Sequence, residues 1–312
     1  MNKIALFFPG QGSQSVGMMT GFGDNATIKA TFQEASDILG VDFWAMATEP
    51  NELLNQTQNT QPLMLIAGIA THRAYINAGG LQAANNKIIA HAGHSLGEYT
   101  ALVAAGALSF ADALPLVKYR AEVMQSAVPE GVGAMAAILG LDDETVRAVC
   151  AEAAQGEVCE AVNYNSIGQV VIAGNAAAVE RGMALAKEKG AKRALPLPVS
   201  VPSHCALMRP AAEKLAEYLK NVTIAAPIIP VMHNADVAAY NDSENIKAAL
   251  VRQLYSPVRW VETVQKIHAV GVDRFAECGP GKVLAGLTKR IIEGGSCAAL
   301  VSTDAINEFI AA

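Results

Sequence analysis

Patterned cysteine is missing from this chain. Its five cysteines (150, 159, 205, 278 and 297) are odd in number, and none stands in a C-x-x-C pair. That disfavours a disulfide framework or a thiolate metal site, and fits free thiols in a reducing compartment. A basic excess is missing too. Net charge is −6 with the two signs interspersed, which disfavours nucleic acid as a partner, since neutralising phosphates needs a cationic surface. Long apolar runs are also lacking: ALVAAGAL at 101–108 is among the longest and cannot span a bilayer. The N-terminal MNKIALFFPG pairs a lysine with apolar residues, but the run at 4–8 is too short for a signal-peptide core and Pro-Gly ends it. A soluble, cytosolic protein is expected. The glycine loop PGQGSQSVGM at 9–18 has Ser15 where a dinucleotide fingerprint has its third glycine, and no Gly-Lys-Ser/Thr follows. It is therefore not a phosphate cradle of either familiar kind.

What is present describes a well-buried globular chain. Hydrophobic residues make up 52% and charged residues 17% of 312 positions, enough for a large core and more than one folding unit. No internal repeat or low-complexity tract interrupts it. A strand at 3–8, a helix at 26–40 and a helix at 62–78 with Pro62 in its first turn lead to the apolar strand KIIAHAG (87–93) and a helix at 95–108. Strand, tight glycine turn and helix in that order form the unit of a parallel α/β sheet. A helix at 110–127 follows. GAMAAILG (133–140), a helix at 142–154, a hairpin of 157–165 with 168–174, a helix at 175–190 and AKRALPLPV (191–199) then give a β-α-β-β-α-β order. That is the ferredoxin-like pattern. The expectation is an α/β core of 1–128 and 198–312 with a small subdomain, 129–197, inserted into it. Beyond it come a helix at 208–220, a strand in PIIPVMHN (227–234), helices at 245–254 and 260–271, and a strand, glycine turn and helix over 273–291.

Gly93-His94-Ser95-Leu96-Gly97 fits G-x-S-x-G, a nucleophile elbow. On such a turn the serine Oγ is pushed outward, and the next N–H groups, beginning with Leu96, sit at a helix N-terminus suited to developing negative charge. A glycine-flanked serine that only caps a helix would look the same locally. A serine nucleophile needs a base, and six histidines are available. His94 should project elsewhere from the turn, His91 sits in a core strand, and His72 and His268 sit in helical patterns. His233 follows an apolar strand and stays a weaker candidate. His204, in the loop Ser200-Val201-Pro202-Ser203-His204, comes after the serine as α/β-hydrolase order requires.

GQGSQ, GHSLGEYTAL, KYRAEVMQ, VPSHCALM, VRQLYSPVRW and ECGPGKVL, in that order from residue 7 to about 291, resemble the malonyl-CoA:acyl carrier protein transacylases of fatty acid synthesis, in their free-standing bacterial form. The resemblance implies an α/β hydrolase-like core with a ferredoxin-like insert. It implies Ser95 as acyl nucleophile and His204 as base, held by the main-chain carbonyl of Gln253. It implies an oxyanion hole from the N–H groups of Gln11 and Leu96, and Arg120 as the fork for the malonyl carboxylate. Read locally, Arg120 is an ordinary solvated helix charge. Gln61 and Asn163 match positions lining the site. No metal or other cofactor is expected, the partners are malonyl-CoA and acyl carrier protein, and the chain is expected to be a monomer. An acidic carrier needs a basic patch, for which Lys187, Lys189, Lys192 and Arg193 are candidates. Three rivals remain: a serine hydrolase, which lacks an obvious acid for His204, a non-enzymatic carrier-docking module, and a relative loading another acyl group.

Overall fold

The computed structural model describes residues 2–81, 86–199 and 201–312; Ser200, the first residue of the expected base loop, lies outside them. The N-terminal part runs β1 (Asn2–Phe8), α1 (Ala26–Leu39), α2 (Phe43–Thr48), α3 (Thr57–Asn77), β2 (Asn86–Gly93), α4 (Gly97–Ala104) and α5 (Phe110–Gln125). The middle part is β3 (Gly133–Leu139), α6 (Asp143–Ala154), β4 (Cys159–Ser166), β5 (Gln169–Asn175), α7 (Ala176–Glu188) and β6 (Arg193–Pro196). The last part is α8 (Arg209–Leu219), β7 (Val231–His233), β8 (Ala238–Ala239), α9 (Ser243–Gln253), α10 (Trp260–Ala269), β9 (Arg274–Glu277), α11 (Val283–Ile291), β10 (Ser296–Ala299) and α12 (Thr303–Ala311). Among the described residues, no helix is long and apolar enough to cross a membrane.

The main sheet has the order β10-β9-β1-β2-β7-β8 and is parallel up to the short antiparallel edge strand β8. β1 is central, and its last five residues are fully buried. Successive side chains on a strand point to opposite faces. Ile4, Leu6 and Phe8 accordingly join the core on the α3–α5 side, while Ala5 and Phe7 join Trp260 and Leu284 from α10 and α11 on the other. Burial on both faces explains why this strand reads as an unbroken apolar run rather than an alternating one. The chain leaves β1, β2 and β7 at the same sheet edge, where ligands of open α/β sheets bind. The loop at 9–12, the turn at 94–96 and Asn234 therefore meet there.

The second sheet is antiparallel with order β4-β5-β3-β6, the ferredoxin-like arrangement, with α6 and α7 packed on one face. The other face, with Met135, Val162, Val171 and Ala173, packs against Cys205 beside the base. Backbone bonds fix the subdomain to the core: Tyr164 N–H donates to Val258 O at 3.0 Å and Val258 N–H donates to Val162 O at 2.8 Å.

Several elements differ from the sequence expectation, mostly at prolines. Pro62 lies inside α3, which already starts at Thr57, so it is not a first-turn proline. PIIPVMHN narrows to β7, since Pro230 at its start carries no N–H for a sheet ladder. AKRALPLPV narrows to β6, which ends at Pro196. The short elements α2, β8 and β10 and the terminal α12 have no counterpart in the sequence reading.

Candidate active site

Ser95 sits on the turn between β2 and α4 with φ +53°, a left-handed conformation rarely adopted by a residue with a Cβ. The flanking glycines are required by space. A Cβ on Gly93 would lie 1.8 Å from Gly97 O, and one on Gly97 would lie 2.0 Å from Phe8 O. β1 thus passes directly beneath the turn, which G-x-S-x-G makes possible. Two side chains clamp the strained residue: Ser95 N–H donates to Asn234 Oδ1 at 2.7 Å, and Gln253 Nε2 donates to Ser95 O at 2.9 Å.

The Ser95 hydroxyl lies 2.7 Å from His204 Nε2, and His204 Nδ1–H donates to the main-chain carbonyl of Gln253 at 2.7 Å. With Nδ1 donating, Nε2 is the acceptor that a base needs. Burial, and after it the Arg120 guanidinium, push the His204 imidazole down to about 3, so it is neutral across the ordinary pH range. Among the described residues no carboxylate holds this histidine; a carbonyl does the orienting. The other imidazoles lie elsewhere. His91 and His72 pack with Phe8, His268 donates to Val272 O, and His233 bonds Glu98. His94 differs from expectation. Its ring does not turn away but lines the same cavity as Ser95, where Nε2–H donates to Asn165 Oδ1 at 2.8 Å beside Trp260.

Arg120 on α5 is not a solvated helix charge, for only 1% of it is exposed. Nη1 donates to Gln61 Oε1 at 2.6 Å and Nη2 to Gln253 Oε1 at 2.9 Å, with Ser95 Oγ 3.4 Å from Nη2. Its guanidinium also lies over the Tyr99 ring. Among the described residues no carboxylate forms an ion pair with it. A buried guanidinium oriented by two neutral amides and aimed at the nucleophile suits a small acid bound beside Ser95.

Ser95, His204, Arg120 and Gln61 line one cavity of about 110 Å³ together with Gln11, Leu96, Met124, Asn163 and Val201. Among the described residues, neither the Gln11 nor the Leu96 backbone N–H donates to another protein group. The loop carrying Gln11 is pressed against the elbow, since a Cβ on Gly10 would lie 2.4 Å from His94 O. Gln61 helps to fix Arg120, and Asn163 Oδ1 is buried without a partner. Lys187, Lys189, Lys192 and Arg193 are exposed but not in the cavity. They cluster where β6 begins, and Arg193 pairs with Leu139, at the far end of β3 from Gly133. The Gly133 end touches Pro202 in the base loop.

Sequence reasoning missed the side chains of Gln253, Asn234 and Glu98 and the His94–Asn165 pair. Glu98 and His94 flank the serine in GHSLGE, which was the available signal. Asn234 and the Gln253 amide had none, because only the sheet brings them to Ser95.

The acyl transferase domain family matches residues 6–305. The chain is 54% identical over 302 residues to the malonyl CoA-acyl carrier protein transacylase of Salmonella typhimurium, covering 96% of each. Among solved structures it resembles an acyl-carrier-protein S-malonyltransferase from Burkholderia pseudomallei, with TM-score 0.95, 56% identity and coverage of 99% and 100% of the two chains. It also resembles a malonyl-transacylase solved in complex with a type II PKS acyl-carrier protein, with TM-score 0.94, 50% identity and 99% coverage of each.

Proposed function

The chain belongs to the acyl transferase domain family, and from that premise we propose that it carries malonyl from malonyl-CoA to the phosphopantetheine thiol of acyl carrier protein, supplying fatty acid synthesis. The observation that carries the reading is the Ser95–His204 pair at 2.7 Å beside a buried guanidinium that has no carboxylate partner among the described residues.

The chemistry follows from the geometry. Ser95 Oγ gives its proton to His204 Nε2 and attacks the thioester carbon, while Arg120 holds the free carboxylate of malonyl through its fork. The oxyanion takes hydrogen bonds from Gln11 and Leu96 N–H, in a cavity where such bonds need no reorganisation. The C–S bond breaks, and His204 returns the proton to the departing thiolate, leaving malonyl as an ester on Ser95. The carrier thiol then loses its proton to His204, its sulfur attacks the ester carbonyl, and Ser95 leaves as the hydroxyl. One site serves both half-reactions, so the kinetics are ping-pong. An acetyl group leaves Arg120 buried and unpaired, which disfavours its loading. Gln61 holds the guanidinium, and Asn163 lines the cavity wall.

In this reading the catalytic core is 1–128 with 198–312, the subdomain is 129–197, and the enzyme acts in the cytoplasm as a monomer without metal, membrane or nucleic acid. Lys187, Lys189, Lys192 and Arg193 help to receive the acidic carrier. Past the end of β6 the chain runs on into Leu197 and Val199 of the cavity wall, with Leu197 about 13 Å from Arg193 at the usual strand rise. Reversing the charge of Lys192 and Arg193 should raise the KM for the carrier but not for malonyl-CoA; equal effects on both would remove the cluster from docking.

Brief incubation with malonyl-CoA, intact-mass measurement and addition of holo acyl carrier protein tests the whole reading. A malonyl adduct on Ser95 that moves to the carrier is expected. Loss of the adduct to water regardless of carrier identifies a hydrolase, and no adduct at all identifies a docking module.

A further inference from the structure

Beneath the nucleophile lies a fully buried carboxylate that takes no part in the steps above. Glu98, three residues after Ser95 in the first turn of α4, has 0% exposure. Its Oε1 accepts from His233 Nδ1–H at 2.6 Å. Its Oε2 accepts two N–H groups, the Asn234 backbone at 2.9 Å and Gln253 Nε2 at 2.9 Å.

Both of those partners go on to hold the reacting groups. Asn234 accepts from Ser95 N–H through Oδ1, and its Nδ2 donates to Gly93 O at 2.7 Å. Gln253 Nε2 also donates to Ser95 O. The two peptide groups flanking Ser95, whose φ of +53° stores backbone strain, are thus held by residues that Glu98 anchors. Gln253 has a second duty. An amide has one donor end and one acceptor end. With two oxygens (Glu98 Oε2 and Ser95 O) facing Nε2, its Oε1 must face Arg120 Nη2, while its main-chain carbonyl holds His204.

We propose that Glu98 is a positioning residue for this active site, one that sets the facing of Gln253 and the seat of Asn234 and through them aligns Ser95, Arg120 and the His204 carbonyl. It also acts as a counter-charge one amide removed from Arg120. It offsets the guanidinium without contacting it, so the fork stays open for the acyl carboxylate. This deepens the transferase reading and rests on it.

Glu98→Gln keeps the shape of the side chain but removes the counter-charge and leaves one acceptor oxygen where the carboxylate has two. The rate of malonyl-Ser95 formation per folded enzyme should fall roughly ten- to a hundredfold, as expected for misplacing reacting groups by an ångström or less. The preference for malonyl-CoA over acetyl-CoA should shrink about tenfold as Arg120 loses its alignment. A drop in Tm, with rate and preference both within about twofold of wild type, would mean that Glu98 only stabilises the fold, and the proposal fails. Should Glu98→Gln not fold, Gln253→Met is read the same way, because it keeps the carbonyl on His204 but cuts the link from Glu98 to Arg120. An unchanged acyl preference there also overturns the proposal. Wild-type enzyme in the same run separates the two levels. No adduct in wild type refutes the transferase reading itself, whereas an adduct with unaffected variants refutes the positioning role alone.

Discussion

Replacing Gly10 by alanine tests whether the loop after β1 supplies an oxyanion donor. The added Cβ would sit 2.4 Å from His94 O, and ordinary contact begins near 3.4 Å, so the loop must retreat by about 1 Å, the difference of the two. No rotamer can relieve the clash, because the obstacle is a backbone carbonyl, and that carbonyl also accepts Gly97 N–H at 2.9 Å to close the elbow. A retreat of that size takes the adjacent Gln11 N–H out of hydrogen-bond reach of the tetrahedral intermediate. Loss of one such donor costs about 10²- to 10³-fold in kcat, or roughly 3–4 kcal/mol of transition-state stabilisation. KM for malonyl-CoA should change little, because Arg120, the fork for the malonyl carboxylate, is untouched. Rapid-quench sampling of the malonyl-Ser95 adduct at saturating malonyl-CoA measures the step directly, with thermal unfolding run beside it to separate overpacking of the fold. A well-folded Gly10→Ala enzyme acylating within about threefold of wild type would show that the Gln11 N–H is not an oxyanion donor, since a donor displaced by about 1 Å cannot retain its function.

Arg120→Ala should cut malonyl loading by about 10²- to 10⁴-fold, the worth of two charge-assisted hydrogen bonds, while acetyl loading falls far less; parallel losses would exclude it as the carboxylate fork. The His204 imidazole, pushed down to about 3 by burial and by Arg120, stays in its base form well below its ordinary value of 6.5. The kcat/KM for malonyl-CoA should therefore hold its plateau to about pH 5, and an acid limb centred at 6.5 would contradict a buried neutral base. In Arg120→Ala, assayed with acetyl-CoA, the limb should move upward because one of its causes is gone. Burial raises the Glu277 carboxyl from 4.5 to about 7. Between those values the folded chain keeps a proton that the unfolded chain has released, so this group's contribution to stability declines as pH rises through the window, by up to roughly 3 kcal/mol. The Tm of Glu277→Gln relative to wild type should then climb from pH 5 to pH 8, and a difference independent of pH would show that Glu277 does not titrate there.

Local chemistry made much of this molecule legible from its residues alone. The unbroken apolar run in β1, the strand–turn–helix around GHSLG and the β-α-β-β-α-β order of the subdomain each rest on short-range patterns, and the sheets follow them. Ser95 could be found because an elbow needs glycines at fixed offsets, and His204 because few histidines sat in loops after it. Prolines blurred the strand ends at Pro196 and Pro230, where a missing N–H stops a ladder that hydrophobicity suggests should continue. Arg120 shows the opposite limit. A helical arginine reads as solvated, and only the packing of α3 and α4 against α5 buries it, with Gln61 and, from the end of α9, Gln253 turned toward it.

Residue type and spacing over a few positions were enough to name the groups that do chemistry: the nucleophile, the base and the glycine turns. What holds those groups in place follows from the folded chain. Glu98, Asn234 and Gln253 lie more than 130 positions apart in the pairs they form. A hydrogen bond is satisfied by proximity in space, and no local pattern records which distant strand or helix will end beside Ser95.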